Sequence, residues 1–109
     1  LKVELERIAP VVSNGEFSAA LQPLRDAVAA AERLYRSDPR NRDYVKAYSR
    51  ALGEYGHAQM TDQSVTPRLR YPQALNTLRK AVDVDPSNKQ AAVDKKAIED
   101  APGRYVKQR

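Results

Sequence analysis

Two four-residue segments with the same pattern, Asp-Pro-x-Asn, divide this chain of 109 residues. They occupy residues 38–41 and 85–88, and each follows one amphipathic stretch and precedes another. Proline cannot continue the hydrogen-bond ladder of a helix, whereas asparagine or aspartate can cap the helix that follows. Each segment therefore predicts a tight turn between two antiparallel helices.

A second pattern repeats in the residues that precede the two turns. An aromatic residue is followed by a small, a large and a small apolar residue, at spacings of three, four and three. Such spacings place all the side chains on one face of an α-helix, with the small ones where a neighbouring helix would approach closely. The positions are Phe17, Ala20, Leu24 and Ala27 before the first turn, and Tyr71, Ala74, Leu78 and Ala81 before the second.

Together these patterns resemble the second half of a tetratricopeptide repeat. The stretch 42–59 resembles the first half of such a repeat, with Val45, Tyr48, Leu52 and Gly56 on its apolar and turn positions. The resemblance covers most of the chain, as roughly one complete repeat and two partial ones. It implies an all-α fold, a right-handed solenoid of antiparallel helix pairs in which the first helix of each pair lines a concave groove.

Two spacings exceed the period of this family, which is about 34 residues. Gly15 and Gly56 are 41 residues apart, and Pro39 and Pro86 are 47 apart. The first surplus predicts a lengthened second helix whose apolar stripe continues. The second surplus predicts an insertion loop at 57–70, where Thr, Ser, Gln and Pro replace a short turn.

The complete prediction is an all-α domain over residues 1–103, with about five helices, followed by a tail at 104–109. Pro72 is expected at the first position of the fourth helix, where its missing N–H has no partner to lose. An odd number of helices leaves one face of the stack unpaired, so self-association into a homo-oligomer is an open alternative. The helices are predicted at residues 2–13, 16–37, 41–60, 71–84 and 88–100.

Composition excludes several classes of protein. The chain has no cysteine, which rules out disulfides, thiolate metal sites and a cysteine nucleophile. It has no run of about 18 apolar residues, the length that a membrane-spanning helix needs, so no membrane partner is expected. These features suit a soluble protein of the cytoplasm or of a bacterial periplasm or envelope, and they leave the compartment open.

The sequence contains no catalytic or cofactor-binding motif. His57 is the single histidine, and no cysteine accompanies it, so it is predicted to be a surface or turn residue and not a base or metal ligand. The four glycines are scattered and form no phosphate-binding loop. The chain is therefore predicted to be no enzyme and to use no cofactor or metal.

Positive charge is concentrated in one region. The chain carries a net charge of +5, and residues 33–50 hold six basic side chains against two acidic ones. Lys46 and Arg50 are four residues apart, so both project from one face of the third predicted helix, away from its apolar face. Their positions resemble those at which some tetratricopeptide repeats hold a peptide carboxylate. The matching positions of the first helix, Leu5 and Ala9, are apolar, so a more general acidic-peptide groove is favoured over a terminal-carboxylate site.

The resemblance and the charge together predict a non-catalytic scaffold that binds a peptide or protein segment of acidic character in a concave groove. Two alternatives stay open: a structural, self-associating module of a larger repeat protein, and a nucleic-acid-binding accessory domain, which the modest charge disfavours. Long loops in compact domains are often functional, so the arginines of the insertion loop are included as contacts. The predicted contact residues are Arg42, Asp43, Lys46, Arg50 and Glu54 on the third helix, with Arg68 and Arg70 in the loop.

Overall fold

A computed structural model describes residues 21–101, and every regular element in this range is helical. The four helices are α1 (Gln22–Ser37), α2 (Arg42–Met60), α3 (Pro67–Val84) and α4 (Lys89–Glu99). The prediction of an all-α fold is confirmed for this part of the chain. Within the same range, no helix is both long and apolar enough to cross a membrane.

Two of the predicted helices, 41–60 and 88–100, agree with the structure to within one residue at each end. The helix predicted at 16–37 is observed over Gln22–Ser37, so it ends where expected but begins after Leu21, with Pro23 in its first turn. The predicted helix 2–13 and the predicted tail 104–109 lie outside the described residues. The described part of the chain therefore holds four helices, and not the five predicted for the whole.

The link between α2 and α3 is shorter than the insertion loop predicted at 57–70. α2 extends to its last predicted residue and α3 begins before the loop was expected to end, so only residues 61–66 connect them. Pro67, and not Pro72, occupies the first turn of α3, because Thr66 before it has the extended backbone of a cap residue. Pro72 lies inside α3, where a proline removes one backbone hydrogen bond.

The two Asp-Pro-x-Asn segments form the same turn, as their sequences predict. The backbone N–H of Asn41 donates to Asp38 O, and that of Asn88 donates to Asp85 O, both at 3.0 Å. The side-chain oxygen of Asn41 accepts from two backbone N–H groups in the first turn of α2. That of Asn88 accepts from one in the first turn of α4. Each asparagine thus satisfies helix N–H groups that would otherwise lack a partner.

The core lies where α3 packs against α2 and α4. The stripe predicted on α3 is buried, with Ala74, Leu78 and Ala81 each at 0 % exposure. Tyr48 and Leu52 face this stripe from α2, and α4 contributes two further apolar side chains. Removal of this apolar surface from water is the main favourable contribution to folding. The predicted core positions Tyr48 and Leu52 of α2 and Ala74, Leu78 and Ala81 of α3 are confirmed, whereas Tyr71 and Val45 are only partly buried.

The two helices that border the candidate site, α2 and α4, run parallel. Ser49 of α2 is hydrogen-bonded to Asn88 at the start of α4, and His57, about two turns further along α2, is paired with Asp94 further along α4. α2 packs against each of the other three helices, whereas no Cα atom of α1 lies within 8 Å of one in α4. A groove therefore forms between α2, α4 and the turn that joins α3 to α4.

Candidate functional site

The α2–α4 groove has a volume of about 830 Å³. One wall is the exposed face of α2, and the other is the turn before α4 together with the first turn of α4. Both walls present polar side chains. The lining residues are Lys46, Arg50, Gly53, Glu54 and His57 from α2, and Asp85, Ser87, Asn88 and Gln90 from the opposite wall.

Three of the predicted contact residues, Lys46, Arg50 and Glu54, line this groove together. Their spacing of four residues places them on one face of α2, one turn apart. Asp43 lies beside them, in a shallower depression on the outer side of α2 with a volume of about 380 Å³. Arg42 stands at the first position of α2 and does not line the groove, although its charge acts on Asp85.

A buried polar network holds the second wall against α2. The side-chain amide of Asn88 donates to the backbone oxygen of Ser49 at 3.2 Å and to its Oγ at 2.9 Å. Ser49 is fully buried, and its Oγ donates to Ala81 O of α3 at 2.7 Å. The side-chain oxygen of Asn88 accepts from Ala91 N. Because both polar atoms of the Asn88 side chain are engaged, this residue shapes the groove and is not a free contact for a ligand.

Asp85 places a carboxylate at the edge of the groove that sequence reasoning did not include. The hydroxyl and the backbone N–H of Ser87 both donate to Asp85 Oδ1, at 2.7 and 3.0 Å. These two hydrogen bonds are the main reason that the pKa of Asp85 lies below its usual value of 3.8. Burial opposes them, and the charges of Lys46 and Arg42 make smaller contributions in the same direction as the hydrogen bonds. Asp85 is therefore ionised at neutral pH and faces Lys46.

His57 lines the far end of the groove and contacts a second carboxylate, that of Asp94. His57 Nδ1 lies 3.1 Å from Asp94 Oδ2, and Gln90 donates to the other carboxylate oxygen at 3.3 Å. The side chain of His57 is 55 % exposed, as expected for a surface residue, whereas that of Asp94 is only 8 % exposed. Sequence reasoning did not include Asp94 among the candidate residues. The available signal was its spacing, three residues after Ala91 and four before Ile98, which places it on the same face of α4 as these two buried residues.

The charges that line the groove are balanced in sign, unlike the basic region of the sequence from which they come. Lys46 and Arg50 stand against Glu54 and Asp85. Arg50 pairs with Glu54 at 3.4 Å, but both side chains are largely exposed, at 83 % and 58 %, so the pair is weak. Lys46 makes no hydrogen bond or ion pair within 4 Å with any residue from 21 to 101.

The two arginines predicted as loop contacts do not line the groove. Arg70 donates to the backbone oxygens of Met60 and Val65, at 3.0 and 2.8 Å, and its guanidinium lies 5.1 Å from the centre of the Tyr71 ring. It therefore ties the α2–α3 link to the start of α3. Arg68 is exposed on the first turn of α3, and its role as a partner contact stays a prediction.

No cluster suited to a metal ion occurs among the described residues, where no three His, Cys, Asp or Glu side chains come together. No protein-family model, curated protein or solved structure matches this chain. The likeness to tetratricopeptide repeats therefore rests on the residues quoted above.

Proposed function

We propose that this chain is a non-catalytic interaction module that binds a peptide or protein segment in the α2–α4 groove. The observation that carries the proposal is that Lys46, Arg50 and Glu54, chosen from the sequence, line one groove with a second wall of polar groups opposite. A groove of this volume with a few fixed polar groups is typical of a binding site.

The pattern of helix contacts supports a solenoid of stacked helix pairs as the scaffold. Each helix packs against its neighbours in sequence, and α2 also packs against α4, but α1 makes no contact with α4. Repeat proteins have this property, because each unit contacts only the next. In a tetratricopeptide-like stack, α2 and α4 would be the first helices of successive pairs, so the groove between them would be part of the concave face.

The mechanism proposed is display on a preorganised surface. The caps at Asn41 and Asn88 and the bonds from Asn88 to Ser49 hold both walls in place without a ligand. A segment that binds such a surface loses little free energy to reorganisation of the protein. An acidic group of the segment would bind at Lys46, which has no ion-pair partner among residues 21–101, with Arg50 beside it as a bidentate donor.

The test is a charge reversal in the full chain. The variant Lys46→Glu with Arg50→Glu is expected to lose most binding to an array of 12-residue acidic peptides, because two attractive charges become repulsive. The matched control is Arg33→Glu with Arg40→Glu, which changes net charge equally at two exposed residues outside the groove. The control should bind like the parent chain.

Two results would overturn the proposal. One is an equal loss of binding in both variants, and the other is no peptide binding by the parent chain. Polynucleotide binding that collapses between about 50 and 200 mM salt would instead favour the nucleic-acid alternative.

A further inference from the structure

The charge of the α2–α4 groove changes sign along its length. Lys46 and Arg50 stand at the end where α4 begins, with Asp85 as the one acidic residue of the groove lining there. Glu54 and the buried Asp94 behind His57 stand at the other end. Because α2 and α4 run parallel, the positive ends of both helix dipoles also point toward the Lys46 end. One end therefore favours an anion and the other a cation.

The hydrogen bond between His57 and Asp94 gives the neutral His57 ring an acceptor at the negative end. A carboxylate only accepts hydrogen bonds, so the proton between His57 Nδ1 and Asp94 Oδ2 resides on Nδ1. In the neutral ring, Nε2 is then an acceptor, and the half-exposed side chain of His57 lines the groove. An ammonium or guanidinium group placed here would donate to Nε2 and lie close to Glu54.

We infer that the segment bound in this groove carries an acidic and a basic residue about four positions apart, and is not uniformly acidic. Lys46 and Glu54 are eight residues apart on α2, about 12 Å along the axis, which an extended peptide spans in about four residues. The acidic residue binds at Lys46 and Arg50, and the basic residue at Glu54 and His57. This inference rests on the proposed function and specifies the chemistry of its partner.

The experiment is an NMR titration of the full chain with short blocked peptides. Two contain Asp and Lys four positions apart in a Ser/Gly background, in either order, and the third contains Asp at both positions. At least one Asp/Lys peptide is expected to bind about two- to fivefold more tightly than the Asp/Asp peptide, the difference that a partly exposed charge pair provides.

The variant Glu54→Gln should abolish this preference while the Asp/Asp peptide still binds. The matched control is Glu32→Gln, which removes the partner of Arg36 in an i,i+4 pair of the same kind on α1, outside the groove. The control should keep the preference of the parent chain.

The outcomes separate this inference from the proposed function. Binding of the Asp/Asp peptide as tightly as both Asp/Lys peptides, with loss in Lys46→Glu, overturns the inference alone. Retention of the preference in Glu54→Gln also overturns it. Failure of all three peptides to bind, or binding unaffected by Lys46→Glu, overturns both proposals.

Discussion

At the scale of single residues, Ser87 sets the pH at which Asp85 loses its negative charge. Its hydroxyl and its N–H stabilise the ionised carboxylate and lower the pKa of Asp85. A carboxyl whose pKa is lower in the folded than in the unfolded state stabilises the fold above the unfolded pKa. That contribution is lost as pH falls through the folded pKa. Asp85 therefore supports the fold at neutral pH and stops doing so in acid.

We predict that Ser87→Ala raises the pKa of Asp85 toward its usual value, because the hydroxyl donor is the largest cause of the shift. The variant should then lose less stability through Asp85 on acidification, because the folded and unfolded pKa values of this carboxyl lie closer together. An NMR titration of the Asp85 carboxyl carbon and thermal unfolding at a series of acidic pH values measure both effects.

Ser64→Ala is the control, since Ser64 Oγ donates to Asp62 at the same distance of 2.7 Å in the α2–α3 link. It should leave the titration of Asp85 unchanged. An unaltered Asp85 pKa in Ser87→Ala would contradict the assignment.

At the scale of helices, the approach of α3 to α2 depends on a glycine. A Cβ atom on Gly56 would lie 2.7 Å from both Cγ and Cδ2 of Leu78, a fully buried side chain. Gly53, one turn earlier on the same helix, has more room. Its Cβ would lie 3.4 Å from Asn88 Nδ2 and 3.6 Å from Ala91 Cβ, which are ordinary contacts. A Cβ atom at Gly53 therefore fits without movement of its neighbours, whereas one at Gly56 requires Leu78 to move.

We predict that Gly56→Ala lowers the free energy of unfolding by up to about 2 kcal/mol. Overpacking of a core costs about 1 to 3 kcal/mol, and the better helix propensity of alanine offsets part of it. Gly53→Ala should be neutral or stabilising by up to about 1 kcal/mol. Urea unfolding followed by circular dichroism measures both changes, and equal effects of the two substitutions would contradict this account.

At the scale of the whole molecule, Ser49 connects three helices through one side chain. Its Oγ donates to α3 at Ala81 and accepts from Asn88 at the start of α4, while the residue itself belongs to α2. A buried polar group that loses its partner costs more free energy than an exposed one, because water cannot replace the bond. The geometry of the groove and the stability of the fold therefore depend on the same residue.

We predict that Ser49→Ala lowers the free energy of unfolding by about 1 to 3 kcal/mol, since Ala81 O and the Asn88 amide each lose a buried partner. Ser37→Ala is the control, because its hydroxyl bonds Leu34 O at an exposed helix end. It should change stability by less than about 0.5 kcal/mol. A Ser49→Ala variant as stable as the control would show that the network contributes nothing.

The sequence alone determined the features of this protein that depend on neighbours along the chain. The Asp-Pro-x-Asn turns, the stripe on α3 and the shared face of Lys46, Arg50 and Glu54 all follow from helical periodicity and capping chemistry. These rules act over a few residues, so they can be applied without coordinates. The link from α2 to α3 was less predictable, because either Pro67 or Pro72 could have stood in the first turn of α3.

The tertiary structure alone decided which residues lie across the groove from Lys46, Arg50 and Glu54. Asn88 bonds Ser49 from 39 residues away, and Asp94 meets His57 across 37. Periodicity gives the angle between side chains on one helix, but it carries no information on how one helix is rotated and shifted against another. Core packing sets that rotation and shift. It therefore placed the carboxylate of Asp94 behind His57 and left Arg70 bonded to backbone oxygens of the α2–α3 link.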